Sequence, residues 1–258
     1  MELGIRGRRA IVMASSSGLG FACATSLAAE GVAVVLNGRD PDRLADAVDR
    51  LSASGHEASG VVGDVALDET RHALLAACPM PDILVTNNSG PSPMTYREWD
   101  RETWYAALDA NLLAPALMLR AVLDGMVERH FGRIVNITSA MVKAPLGVMG
   151  LSSGARAALT AAAKGVSRDV AHADVTINSI CPERIDTGRQ QQMAALASQV
   201  KGISVDDAYA EMAESIAARR IGRPNEVGDL CAYLCSVQAS YISGQSISVD
   251  GGTFPGIF

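Results

Sequence analysis

The sequence predicts an α/β protein, a doubly wound parallel seven-stranded sheet inside a three-layer α/β/α sandwich. Three observations carry this reading. Seven short runs rich in Val and Ile alternate with Ala-rich stretches of helical periodicity. The runs are apolar nearly throughout, as in strands covered on both faces. The strand–helix repetition continues along residues 1–258 without a linker or low-complexity stretch, so right-handed crossovers can wind a single domain.

The elements follow in order. Arg9–Ala14 reads as the first strand, and Gly20–Glu30 as the helix behind it. Val32–Asn37 leads into a helix over Pro41–Ala53, with Asp40 placed as its N-cap and Pro41 at its first position. Ala58–Val62 precedes a helix over Asp68–Ala77, and Asp82–Thr86 precedes a long one over Trp99–Arg129. Arg133–Thr138 and Val175–Ile180 flank the helix Ser152–Ala171. The polar, helical stretch 183–220 follows the carboxyl end of the sixth strand, which makes it a candidate lid. Helix Asn225–Val237 and strand Ser246–Val249 complete the pattern.

With 48% hydrophobic and 19% charged residues, 258 residues can bury a large core. A net charge of −6 supplies neither a basic face for nucleic acid nor a polybasic arm for membranes. The cysteines Cys23, Cys78, Cys181, Cys231 and Cys235 are scattered, with no second pair or nearby His beside Cys231 and Cys235. They read as buried reduced thiols, and no metal site is expected. No apolar stretch approaches the roughly 20 residues needed to span a bilayer, and the expected location is cytoplasmic.

The first strand runs into Ala14-Ser15-Ser16-Ser17-Gly18-Leu19-Gly20 and then a helix. Glycine lets backbone approach a pyrophosphate, and a helix N-terminus offers unpaired N–H groups and partial positive charge. A Rossmann-type dinucleotide site is the expectation, with Ser15, Ser16, Ser17, Gly18, Leu19 and Gly20 against the phosphates.

From this turn onward the chain resembles the short-chain dehydrogenase/reductase family. Its pattern Thr-Gly-x-x-x-Gly-x-Gly is met at Gly18 and Gly20, while Met13 and Ala14 replace the first two residues. Asp64-Val65 matches the pair that meets adenine, and Asn87-Asn88-Ser89-Gly90 resembles Asn-Asn-Ala-Gly. Asn111 matches the helix asparagine that holds a water in a proton relay, and Ser139 matches the catalytic serine. Pro182, Ile185 and Thr187 fall in the family's Pro-Gly-x-x-x-Thr segment, with Glu183 in place of the glycine. The resemblance implies cofactor contacts at Asp64, Val65, Asn88, Ser89, Gly90, Pro182, Ile185 and Thr187. Ile221-Gly222-Arg223-Pro224 and the stretch from Ser243 to Gly252 match the family's C-terminal signature.

The second strand ends Asn37-Gly38-Arg39. An NAD enzyme places a carboxylate near Asn37, whereas a 2′-phosphate requires its absence and a guanidinium close by. Asn37 with Arg39 therefore points to NADP, with NAD the alternative. The family's proton donor, Tyr-x-x-x-Lys, is missing: its two positions hold Ser152 and Arg156, and no tyrosine in the chain is followed four residues later by lysine. A phenol can be tuned toward neutral pH, whereas serine is a far weaker acid. Arginine keeps its charge, so Arg156 could hold a ribose or phosphate but would not shuttle a proton. Lys143, four residues past Ser139, is the candidate replacement donor. The expected function is a reductase of the 3-oxoacyl-carrier-protein reductase type, acting on a small carbonyl or alcohol with an altered donor; a catalytically impaired cofactor-binding homologue and other chemistry using Ser139 and Lys143 are the alternatives. The resemblance also implies a homotetramer, through small residues on the helices Trp99–Arg129 and Ser152–Ala171.

Overall fold

The computed structural model describes residues 2–257. Seven parallel strands are ordered β3-β2-β1-β4-β5-β6-β7. They are β1 Arg9–Val12, β2 Ala33–Gly38, β3 Ala58–Val62, β4 Ile83–Thr86, β5 Gly132–Ile137, β6 Val175–Pro182 and β7 Ser246–Val249. Nine helices accompany them among the described residues: α1 Gly18–Ala29, α2 Pro41–Ala53, α3 Asp68–Ala77, α4 Arg101–Leu108, α5 Ala114–Glu128, α6 Gly150–Val170, α7 Gly188–Lys201, α8 Val205–Glu214 and α9 Pro224–Cys235.

The three layers follow from the period of two along each strand. Ala10 and Val12 face one core with Leu27, Leu36, Val135 and Val227, beneath α1, α2 and α9. Ile11 between them faces the other core with Leu84, Ile134, Met118 and Ile177, beneath α3, α5 and α6. All five cysteines are buried and unpaired. Because every strand runs the same way, all carboxyl ends open at one edge of the sandwich. The order reverses between β1 and β4, and ligands of such sheets bind at that switch point.

Three elements differ from expectation. The edge strand β3 exposes Ser59, Gly60 and Val62, and β7 at the other edge is only half-buried. The expectation of strands covered on both faces therefore fails at the two edges. The stretch Trp99–Arg129 is not one regular helix, since a π turn over Asp109–Leu113 separates α4 from α5. Pro115 follows that turn, and its ring would collide with the preceding turn of a regular helix. Taken as one body, Arg101–Glu128 is long and apolar enough by composition to cross a bilayer, contrary to the expectation that no stretch reached that length. Met118, Val122 and Met126 are instead buried against the sheet. Beyond β6, α7 and α8 pack on each other above the carboxyl ends, and a backbone bridge from Ile185 to Gly222 closes the base of this insertion.

Candidate dinucleotide and substrate cleft

The carboxyl ends of the strands enclose a cleft of about 1170 Å³. The turn after β1 forms one wall. Ala14 holds a left-handed backbone, φ 45°, where the family pattern has glycine. Its N–H donates to Asn37 Oδ1 at 3.0 Å, and its carbonyl accepts from Asn87 Nδ2 at 2.9 Å. Gly20 packs under this turn so closely that a Cβ there would lie 2.5 Å from the Ala14 carbonyl oxygen. Ser16, Ser17, Gly18 and Leu19 line the cleft. Ser15 faces inward, where its hydroxyl donates to the Val12 carbonyl at 2.6 Å and accepts from Asn37 N–H at 3.0 Å. Gly20 is likewise behind the lining.

At the end of β2, Asn37 is 1% exposed and fully engaged. Besides accepting from Ala14, its amide donates to the Val61 and Gly63 carbonyls, each at 3.0 Å. It ties β1, β2 and β3 together and leaves no carboxylate where a ribose diol would need one. Arg39, its side chain 70% exposed, stands 3.7 Å from Asp64 across the cleft rim. Asp64 and Val65, then Asn88, Ser89 and Gly90, continue the wall toward β4. Pro182, Ile185 and Thr187 close it from β6, with Thr187 capping α7.

At the reacting end, Ser139 follows β5, and its hydroxyl oxygen accepts from Met141 N–H at 3.2 Å. Ser152 and Arg156 stand one turn apart on α6. Arg156 Nε donates to Ser152 Oγ at 3.3 Å, and the rest of the guanidinium is a staple. Nη1 donates to the Ile137 and Thr138 carbonyls at 2.8 and 3.2 Å, and Nη2 to the Asn88 carbonyl at 2.9 Å. Burial, with the charge of Arg189 adding to it, pushes the Arg156 pKa down to about 10. It therefore stays a cation at neutral pH. Both serine oxygens accept from protein N–H groups, which frees both O–H protons to point at a ligand.

Besides Ser15 and Gly20, two more residues named from the sequence lie off the cleft wall. Lys143 turns away: its ammonium donates to Ser248 Oγ on β7 at 3.1 Å and sits 5.8 Å from the centre of the Phe254 ring. Asn111 is buried in the π turn, where Nδ2 reaches the Ala107 carbonyl at 3.4 Å and Oδ1 has no partner. Of the candidate lid residues, Met193 and Met212 face the cleft, whereas Tyr209 lies beside Asp186. The wall also holds residues that sequence reading did not single out, above all Arg189 on α7. A signal was there, because a cation in the first turn of a helix opposes the helix dipole. Glu183 and Arg184 pair at 3.6 Å beside it, and burial raises the Glu183 pKa.

A glycine turn opening a helix at the switch point, beneath a long cleft, defines a dinucleotide-binding protein of Rossmann type. The residues present fit a nicotinamide dinucleotide: Gly18 takes φ +59°, a Cβ there would meet only the Thr187 side chain at 3.8 Å, and the first turn of α1 carries no acidic residue. The chain belongs to the short-chain dehydrogenase/reductase family, with residues 13–253 matching the family profile described as enoyl-(acyl carrier protein) reductase. It is 32% identical to the NADPH-dependent reductase BacG of Bacillus subtilis (strain 168), covering 97% of this chain and 99% of that protein. Among solved structures it resembles L-sorbose reductase from Gluconobacter frateurii in complex with NADPH and L-sorbose, at TM-score 0.94 and 29% identity over the full length of both chains. It also resembles an NADP-bound 3-oxoacyl (acyl-carrier-protein) reductase from Agrobacterium tumefaciens C58, at TM-score 0.88 and 30% identity over 97% of this chain and 96% of that one.

Proposed function

We propose that this protein is an NADP(H)-dependent reductase of small carbonyl compounds, in which Ser152 and Arg156 replace the family's Tyr-x-x-x-Lys. The observation that carries the reading is the pair of hydroxyls, Ser139 and Ser152, each held by a protein N–H and each with its proton free. When bound, the reduced nicotinamide supplies hydride to the carbonyl carbon. Ser139 and Ser152 hold the carbonyl oxygen as negative charge builds on it. Donation from Arg156 Nε polarises the Ser152 O–H, in the way lysine polarises tyrosine in the family. Serine is a poor acid toward water, but the product alkoxide is about as basic as a serine alkoxide. Ser152 Oγ can thus pass its proton to the product and recover one from solvent. Preference for NADP is supported by the engaged Asn37, by the exposed Arg39, whose only ion-pair partner among the described residues is Asp64 at 3.7 Å, and by the NADPH named for BacG and for the sorbose reductase complex.

Steady NADPH oxidation across a carbonyl panel, falling about 100-fold or more in Ser139→Ala and in Ser152→Ala, is the expected result. A second reading has its own support: Arg156 spends four hydrogen bonds on the fold, and no lysine or tyrosine lines the cleft among the described residues. On that reading the protein binds the cofactor without turnover, and calorimetric NADPH binding with no oxidation of any carbonyl would select it. We further infer a homo-oligomer, since Tyr105 on α4, Leu113 in the π turn and Leu117 on α5 are left exposed in the single chain.

A further inference from the structure

Positive charge is unevenly balanced along the cleft. The adenine end mixes Arg39 and Arg43 with Asp40, Asp42 and Asp64. The reacting end holds Arg156, Arg184 and Arg189, with Glu183 as the only carboxylate on the wall there among the described residues. Glu183 is already engaged by Arg184 at 3.6 Å. Neither Arg156 nor Arg189 forms an ion pair among the described residues. The two are close enough for the charge of Arg189 to make protonation of Arg156 harder.

Arg156 exhausts most of its donors on backbone carbonyls, but Arg189 does not. One Nη2 bond to the Pro91 carbonyl, 2.9 Å, holds its side chain across the cleft from α7 to the loop after β4. The remaining guanidinium donors are uncommitted. Arg189 also stands at the second position of α7, at the positive end of the helix, with no acidic residue in that first turn. Two like charges and a helix end thus converge where the one lining carboxylate among the described residues, Glu183, is already paired with Arg184. Methionines line the space around them, at Met141, Met149, Met193 and Met212.

We propose that Arg189 is a specificity residue for an anionic substrate: a carbonyl compound with a compact apolar body and a carboxylate or phosphate group. The planar fork of the guanidinium suits either anion. The carbonyl oxygen lies on Ser139 and Ser152 while the anionic group takes the free donors of Arg189. This rests on the reductase reading for its turnover assay but not for its binding assay.

The test pairs oxo acids with their methyl esters, and oxo phosphates with their neutral alcohols, in NADPH oxidation by wild type, Arg189→Gln and Arg189→Lys. The expected outcome is a KM lower for the acid or the phosphate than for its neutral partner, roughly tenfold or more. Arg189→Gln should erase that gap through KM, with kcat for the neutral compounds and KM for NADPH unchanged, and Arg189→Lys should restore part of it. Which of the two anions shows the gap identifies the group. Equal KM for acid and ester in wild type, or an Arg189→Gln effect confined to NADPH, overturns the proposal while leaving the reductase reading intact. If no carbonyl is reduced, calorimetric titration of the protein–NADPH complex with benzoate and with phenyl phosphate decides. Binding lost in Arg189→Gln upholds the anion site although the reductase reading falls, and no binding overturns it.

Discussion

Ala14 carries strain that a single atom group explains. Its φ of 45° is a conformation in which a Cβ costs about 1 kcal/mol, and both its backbone polar groups are bonded in place. Ala14→Gly should raise stability by about 0.5–1 kcal/mol in urea denaturation, with NADPH binding unweakened. Ser152 and Arg156 invite the reverse substitution. Ser152→Tyr with Arg156→Lys should raise kcat by about 100-fold or more in carbonyl reduction. It should also lower stability by about 3 kcal/mol, because lysine cannot reach the three carbonyls the guanidinium holds. The pH dependence follows from the same residue. The folded protein gives up the Arg156 proton at about pH 10, well below the unfolded chain, so the unfolded state binds more protons above that point. Stability from this group is therefore flat through neutral pH and rises only in the alkaline range. The kcat profile should be flat from roughly pH 6 to 9 and fall near pH 10, where Ser152 loses its charged partner. At this scale the sequence was legible wherever the determinant is local. Asp40 caps α2 as its place before Pro41 implies, accepting from Arg43 N–H at 3.0 Å. Lys143 was not legible, because the direction of its long side chain is decided by Ser248, a hundred residues away in sequence.

Among elements, the end of β2 bears most on the proposed preference for NADP. Asn37 locks three strands with its side-chain amide, so the proposed preference for NADP rests on Arg39. Arg39→Ala should raise KM for NADPH about tenfold or more and leave KM for NADH nearly unchanged in paired kinetics, and equal effects on both would remove Arg39 from that role. Short Val- and Ile-rich runs located every strand, set off from Ala-rich stretches of helical period. It could not say that β3 and β7 are edges, since strand order belongs to the whole sheet and not to any strand in it. The π turn at Asp109–Leu113 was hidden for a different reason. Its apolar period continues on both sides, and only Pro115 signals that the turn must widen.

For the molecule as a whole, the exposed apolar residues along α4 and α5 bear on assembly. Light scattering should give the mass of four chains, and Leu117→Glu should lower it by placing charge on that face; a single-chain mass for the unaltered protein would remove the inference. Two kinds of motif were readable end to end, the glycine turn and the strand–helix rhythm, because each is short and repeated. The positive charge of that end of the cleft was not, because it is a sum over Arg156, Arg184 and Arg189, brought together only by the fold. Lys143 finally links two regions that would otherwise be independent. Anchored on Ser248 and over Phe254, it acts as a guy-rope from the Ser139 loop to the sheet's outermost strand and the chain's C-terminal tail. Whatever grips that tail therefore sets the tension on the loop whose Ser139 hydroxyl meets the substrate in the proposed reaction. Tags or deletions at the C-terminus, often treated as inert handles, would detune the site from outside.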